Sequence, residues 1–537
     1  MKDITQYSTQ SVSFPRTERR DSVNFLTSGD AGKIIPVSVI PLNPEDSVIR
    51  CPININVEMM ETAEILMNDV MVRAYSYFVP FLAFDRFSSM DSVLRSWRKE
   101  KEREADAGPV DFFQTAVMPA HGSNAVYKAL GIHGRVGDTK NIAYVEAYNE
   151  VVNFRRRNAS KSLTLRTATD TTLAEAMWSH RLMKDIVPDY DAARIDGEIS
   201  LNAVGGGNIS VSGLFTNTAS SHPVGTIKNP DGTTAADNTY QNYEALYGKK
   251  GSGDSLEDIF IEMEEGGISV SLSNIELAKK TAAFARMRER FESHDEDYII
   301  DLLMNGIRIP DQTMRDPILL GMREAPIRYV RRWATDAGNL DEGVTTGVAN
   351  ISMNVRLPPV TCGGIIVNTV EIVPDPLFER KRDFFFDTVD TDKFPQALRD
   401  YLDPEKVEAV PNEFIDVDHN TPSGLFGYSY LNYNWNREFT RIGGKFYRPA
   451  VDAVSDVERR RIWSVEQADP TLTADWYLVP TLHKKVFVDD TVDGFDIAGG
   501  HNAAIRGLTQ FGRPLSESTV DHYQAVLDDV DQTRVKD

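Results

Sequence analysis

Residues 31–48, AGKIIPVSVIPLNPEDSV, and residues 70–87, VMVRAYSYFVPFLAFDRF, decide how the rest of the chain is read. In the first, Val37, Val39 and Leu42 mark an extended run that stops at the Pro41–Pro44 turn. Ile49, Ile53, Ile55 and Val57 then mark a second one. In the second stretch, residues 70–79 predict a strand rich in Val and Tyr. Both of its faces carry large side chains, as expected of a strand held between two layers. NVEMMETAEILMNDV joins the two stretches. Beyond Val79-Pro80, residues 91–105 predict a helix with Asp91 as N-cap and Val93, Leu94 and Trp97 as its apolar face. No catalytic motif lies in this region.

Working outward, the chain of 537 residues can hold two to four average domains, or one core with large insertions. Hydrophobic residues make up 41% and charged residues 26%, which excludes wholesale disorder. No apolar run is long enough to span a bilayer, so no membrane insertion is expected. The N-terminal MKDITQYSTQSVSFPRTERR has no signal-peptide core, so a cytoplasmic site of synthesis is expected. The two cysteines, Cys51 and Cys362, are too few for a disulfide scaffold or a four-cysteine zinc site and read as reduced core residues.

Eighty acids against 58 bases give a net charge of −22, which argues against a surface that binds nucleic acid all over. Bases do cluster locally: Arg16, Arg19 and Arg20; Arg155–Arg157; Arg328, Arg331 and Arg332; Arg380–Arg382 with Lys381; and Arg459–Arg461. For each cluster, the plain reading is a solvated face or a set of salt-bridge partners for the surplus acids.

Residues 1–30 lack sustained periodicity and read as a polar arm that needs a partner surface to become ordered. Ala143–Phe154 and Leu173–Ile186 read as short helices. Residues 202–256 are dense in Gly, Asn, Ser and Thr and read as a linker or an external loop insertion; Phe215, Tyr240, Tyr243 and Tyr247 favour partial order. Ser273 and Glu276 form a capping box that opens a basic helix. From about residue 345, ISMNVRLPPV, GGIIVNTVEIVP, FGYSYLNYNWNREFT and DWYLVPTLHKKVFVDD read as strands. Many extended runs and few long helices predict a mainly β sandwich or jelly roll with large loops.

The search for chemistry finds no phosphate-binding loop, no H-E-x-x-H and no G-x-S-x-G elbow. The nine histidines are scattered without metal-ligand spacing. HDEDYIID (294–301) reads as a charged helix rather than a divalent-ion patch. DDTVDGFD (489–496) reads as a Gly-centred turn, because Gly500 stands where a calcium loop needs its bidentate Glu. No enzyme activity, cofactor or metal is therefore expected.

Three separated segments resemble the major capsid protein of microviruses, small icosahedral single-stranded DNA bacteriophages (Microviridae), especially its gokushovirus-like branch. The first holds Ile34-Ile35-Pro36, the Pro44-Glu45-Asp46 turn and Tyr77-Phe78-Val79-Pro80. The second is the basic helix Ile275–Glu292 leading into YIIDLLMNGIRIPDQTMRDPILLG. The third comprises GGIIVNTVEIVPDPLF, RKRDFFFDT, FGYSYLNYNWN and QFGRPL. Order and spacing agree over about Gly29–Leu515. Asp85 and Arg86 depart from the family pattern, and 202–256 has no counterpart in sequence.

The resemblance implies an eight-stranded antiparallel viral jelly roll with long loop insertions, spanning 31–537 as one domain behind an arm over 1–30. It implies a structural virion protein that self-assembles into a T=1 icosahedral capsid around circular single-stranded DNA. The implied partners are further copies of the chain, the packaged DNA, an internal scaffolding protein, a DNA pilot protein and a host surface receptor. Assembly is expected in the bacterial cytoplasm. The 202–256 insertion would form a surface protrusion, and Arg16, Arg19 and Arg20 are the expected DNA contacts. The competing reading of the residues is a glycan-binding or glycan-cleaving β-sandwich, drawn from the aromatic strands and the numerous carboxylates.

Overall fold

The computed structural model describes residues 14–62, 64–100, 110–178, 185–188, 211–212, 260–261, 314–333, 343–376, 380–389, 391, 394–403, 406–436, 441–447, 461–463 and 469–512. The chain divides into two compact units, one made of Met1–Tyr190 with Ile307–Asp537, the other of Asp191–Gly306. In the second unit, only the antiparallel pair Val211–Ser212 and Phe260–Ile261 is described. The rest of the 202–256 insertion, the capping box at Ser273, the basic helix and HDEDYIID lie outside the described residues.

The first unit is mainly β. Its principal strands are β1 (Thr17–Gly29), β2 (Ile34–Leu42), β3 (Ser47–Thr62), β4 (Val70–Pro80), β5 (Ile318–Pro326), β6 (Arg328–Trp333), β7 (Gly343–Leu357), β8 (Gly364–Pro374) and β9 (Phe495–Gly507). They form a five-stranded sheet in the order β1-β9-β3-β7-β6 and a four-stranded sheet in the order β2-β8-β4-β5. Every pairing is antiparallel. With β6 set aside, the pairs nest about the middle of the chain: β1 with β9, β2 with β8, β3 with β7, and β4 with β5.

Periodicity makes these strands and sets their register. In β3, Cys51, Ile53, Ile55, Val57 and Met59 are buried while Asn54, Asn56 and Glu58 are exposed. A one-residue slip would turn all five apolar side chains to water, at about 1.5–3 kcal/mol each. The buried side of β3 meets Val37, Ile40, Val72, Phe78, Ile366 and Val370 from the other sheet in one core, an arrangement compatible with a β-sandwich.

The two sheets differ on their outer sides. All eleven residues of β8 are buried. Tyr75, Tyr77 and Val79 of β4, with Ile365 and Val367 of β8, pack against Ala143, Ala147 and Val151 of a helix, α3 (Ala143–Ala159). Two shorter helices, α1 (Met90–Trp97) and α2 (Ala125–Leu130), add to this helical layer. The inner strands β4 and β8 are thus covered on both faces, as the continuous apolar run at 70–79 predicts, while the edge strand β5 is largely exposed. The Tyr148 hydroxyl locks α3 down: it donates to the Ile34 carbonyl at 2.7 Å and accepts from the Ala174 N–H at 2.9 Å. Burial pushes that phenol above its ordinary range.

Several expectations are corrected. Within the stretch read as an irregular arm, Thr17–Gly29 is a full strand paired with β9 along its length. The reason is tertiary: only Phe25 and Gly29 of β1 are buried, so the order comes from the ladder and not from an apolar pattern. Helix α1 is capped by Ser89, whose side chain accepts from the Ser92 N–H, and not by Asp91; it stops at Trp97, two residues before Lys99 adopts φ +58°. Leu94 and Trp97 on its expected apolar face are 42% and 51% exposed. The helix expected over Leu173–Ile186 is extended from Ala174 to Trp178, because Ala174 and Ala176 exchange backbone hydrogen bonds with Ile34 and Gly32. The strand expected at 475–490 is a helical turn, Ala474–Tyr477, followed by irregular chain that bonds Ala176 through Val479.

Candidate interaction surfaces

The expected DNA contacts Arg16, Arg19 and Arg20 sit at the start of β1. Arg16 binds the Glu45 carboxylate at 2.9 Å and the Glu45 carbonyl at 3.1 Å. Arg19 binds the buried Asp46 carboxylate at 2.7 Å and the Pro41 carbonyl at 2.9 Å. Both are therefore committed to the Pro44-Glu45-Asp46 turn. Their order has a local cause: Asp46 also accepts from the Asn43 N–H at 2.9 Å, and its carbonyl accepts from the Val360 N–H. A Cβ on Gly507 would lie 1.8 Å from Asp46 Oδ1, so that end of β9 must be glycine for the carboxylate to fit. Arg20 alone of the three faces solvent without an ion pair among the described residues.

The described members of the other basic clusters mostly serve the acids. Arg155 meets the fully buried Glu371 through two N–H···O contacts, one of them at 3.2 Å, and lies 4.6 Å over the Tyr75 ring. Burial works against its charge, but Glu371 beside it outweighs that and raises its pKa. Arg156 pairs with Glu175, and Arg157 with Glu150 and Asp316. Arg380 holds Asp416, Arg382 holds Asp387 and Glu413, and Lys381 sits over the Phe414 ring.

No group of three metal-ligating side chains occurs among the described residues. In the DDTVDGFD loop, Asp489 accepts from the Thr491 N–H and hydroxyl while Asp493 accepts from Ser28, so both carboxylates close the turn into β9. Cys51 and Cys362 are buried free thiols.

One segment carries an unusual apolar exposure. Asp383 caps the helical turn Phe384–Asp387, and a second short helix, Ala397–Leu402, follows. Between them these elements expose Phe385 by 58%, Phe386 by 86%, Val389 by 95%, Leu398 by 74%, Tyr401 by 77% and Leu402 by 67%. Single exposed apolar side chains are ordinary, but six between Phe385 and Leu402 is an unusual concentration for one short segment. Phe384 and Phe394 anchor the segment edge-on against Trp435, at 5.1 and 5.6 Å.

The second surface is the outer face of the five-stranded sheet. Its centre carries Asn24, Asn54, Asn56, Asn350, Asn354 and Asn502, all exposed, with Ser22 and Ser352 between them. The register aligns Asn24, Gly500, Asn54 and Ser352 in one row, and Ala498, Asn56 and Asn350 in the next. Ser352 donates to Asn54 Oδ1 at 2.8 Å. At one end lie Arg20, Arg50, Arg356 and Arg506; Glu58 and Asp496 lie toward the other. Clusters of like charge in sequence do not point to this face; its signal is in ININVE (53–58) and NISMNVR (350–356), where Asn alternates with apolar residues.

No protein-family model matches the chain, and no curated protein matches it.

Proposed function

We propose that this chain is the major capsid protein of a gokushovirus-like microvirus: a jelly-roll subunit that assembles into a T=1 icosahedral shell around a circular single-stranded DNA genome. The observation that carries this reading is the nested pairing β1–β9, β2–β8, β3–β7 and β4–β5, split between two sheets. Folding one long eight-stranded hairpin onto itself would give this order, so the nesting supports the jelly-roll reading. The resemblance of three separated segments to the capsid family points the same way.

The exposed segment from Phe385 to Leu402 supports self-assembly, since a shell repeats modest contacts by symmetry and each copy must present apolar area to its neighbours. In this reading the chain acts through its surfaces, not as an enzyme, and works in the virion after assembly in the bacterial cytoplasm. Its partners are other copies, the packaged DNA, an internal scaffolding protein, a DNA pilot protein and a host receptor. Electron microscopy of the full chain co-expressed with its scaffolding protein tests the proposal: closed, uniform particles are expected, and a persistent monomer contradicts it.

A further inference from the structure

We propose that the outer face of the five-stranded sheet is a contact surface for a single-stranded polynucleotide. The Arg20, Arg50, Arg356 and Arg506 end takes the phosphates, and the asparagine rows take base edges. This rests on the shell reading only in naming the strand as the packaged genome; the binding itself is a property of the unassembled chain.

The charge argument is local. Among the described residues, none of the four guanidinium groups pairs with a carboxylate, in a chain whose other described arginine clusters largely do. Register places Arg20 opposite Ala504 and Ala504 opposite Arg50. Arg356 stands in the β7 irregularity between the Val355–Cys51 and Leu357–Val48 pairs, on the strand beside Arg50. Arg506 lies two residues further along β9, beside Glu18. Four cations across four neighbouring strands, about 4.8 Å apart, offset only in part by the exposed Glu18 opposite Arg506, form a net positive stripe on a protein of net charge −22.

The asparagines supply the second, independent observation. Asn is disfavoured in strands, yet six stand exposed on this one face. Each amide offers both donors and an acceptor, so it can meet any base edge. Nothing aromatic lies on the rows, so binding here proceeds through phosphate and edge contacts rather than stacking and tolerates most sequences. A protein partner would bury this face with apolar area, and apart from the exposed Leu26 at the β1 edge the asparagine rows offer little.

Fluorescence anisotropy tests this with the unassembled full chain and a labelled mixed-sequence DNA strand of about 20 nucleotides, titrated at several salt concentrations. Four phosphate contacts predict a slope of log affinity against log salt of about −3. The variant R20S/R50S/R356S/R506S is expected to lose about tenfold or more in affinity at low salt and to flatten the slope toward zero. Because those side chains have no ion-pair partner among the described residues, its melting temperature should stay near the parent value, which checks the fold. The charge-matched variant R98S/K128S/R135S/R323S, altered at exposed positions elsewhere, should lose less than about threefold. Absence of binding by the parent chain, equal losses in both variants, or protection of the face by a protein instead overturns the inference. Shells that form normally from a chain unable to bind would refute this inference and leave the shell reading standing.

Discussion

Arg19 Nη2 lies 2.7 Å from Asp46 Oδ2, and this pair staples the first strand of the five-stranded sheet to the turn that leads into β3. Asp46 is 1% exposed and Arg19 is 21% exposed at the side chain. The arginine that the sequence offers as a DNA ligand is thus a structural counter-charge, and the tie adds to the β9 ladder in holding the polar β1 in place.

Asp46→Ala is expected to destabilise the chain by about 3 kcal/mol, because it strands Arg19 and removes the acceptor of the Asn43 N–H. Urea unfolding measures this. A loss below about 1 kcal/mol would show that the staple adds little.

Glu371→Gln leaves the buried Arg155 charge without its counter-ion and is expected to cost about 3–5 kcal/mol. The double variant R155M/E371L removes both charges and should recover most of that loss. A double variant as unstable as the single one would contradict the account of this pair.

Burial, aided by Lys485, holds the His483 imidazole below its ordinary pKa of 6.5. The folded state therefore favours neutral His483. The stability this gives is present above pH 6.5 and is lost as pH falls through the lower folded value. Melting temperatures measured against pH should decline on that acid limb, and His483→Asn should flatten the decline. The Trp463 indole N–H bonds the His483 backbone carbonyl, so that contact survives the substitution.

Burial, with Asp21 as a second cause, pushes the Cys51 thiol up to about 11. At pH 8 it stays protonated, so the native chain should resist alkylation at Cys51 and Cys362 and react at both after denaturation. Rapid labelling of the native chain would contradict the buried placement.

Much of the sandwich is legible in sequence because its strands carry their own signals. β3 alternates, while β4 and β8 are continuous apolar runs that only a doubly covered strand tolerates. β1 is not legible, since TERRDSVNFLTSG buries little of its own and takes its order from β9. Ala174–Trp178 has helical composition, but the free edge of the Gly32–Ile34 segment overrides that propensity. For the candidate surfaces, clusters of like charge mislead: of Arg16, Arg19 and Arg20, the fold commits two to carboxylates. Arg50, Arg356 and Arg506 are isolated in sequence, and only strand pairing gathers them beside Arg20.

The exposed segment gives the remaining prediction. Substituting Phe386 and Leu398 by Ser should leave the melting temperature of the subunit within about 1 °C of the parent, because both side chains already face water. The same change should prevent or weaken assembly. Unimpaired assembly would remove this segment from the contacts between copies.

Assembly of many copies of this chain into a closed shell is the core of the proposed function. Cryo-electron microscopy of the full chain, co-expressed with the proposed internal scaffolding protein, tests it most directly. Uniform icosahedral particles are expected, their subunits lying with the Phe385–Leu402 segment at a contact between copies. A monodisperse monomer under those conditions would contradict it.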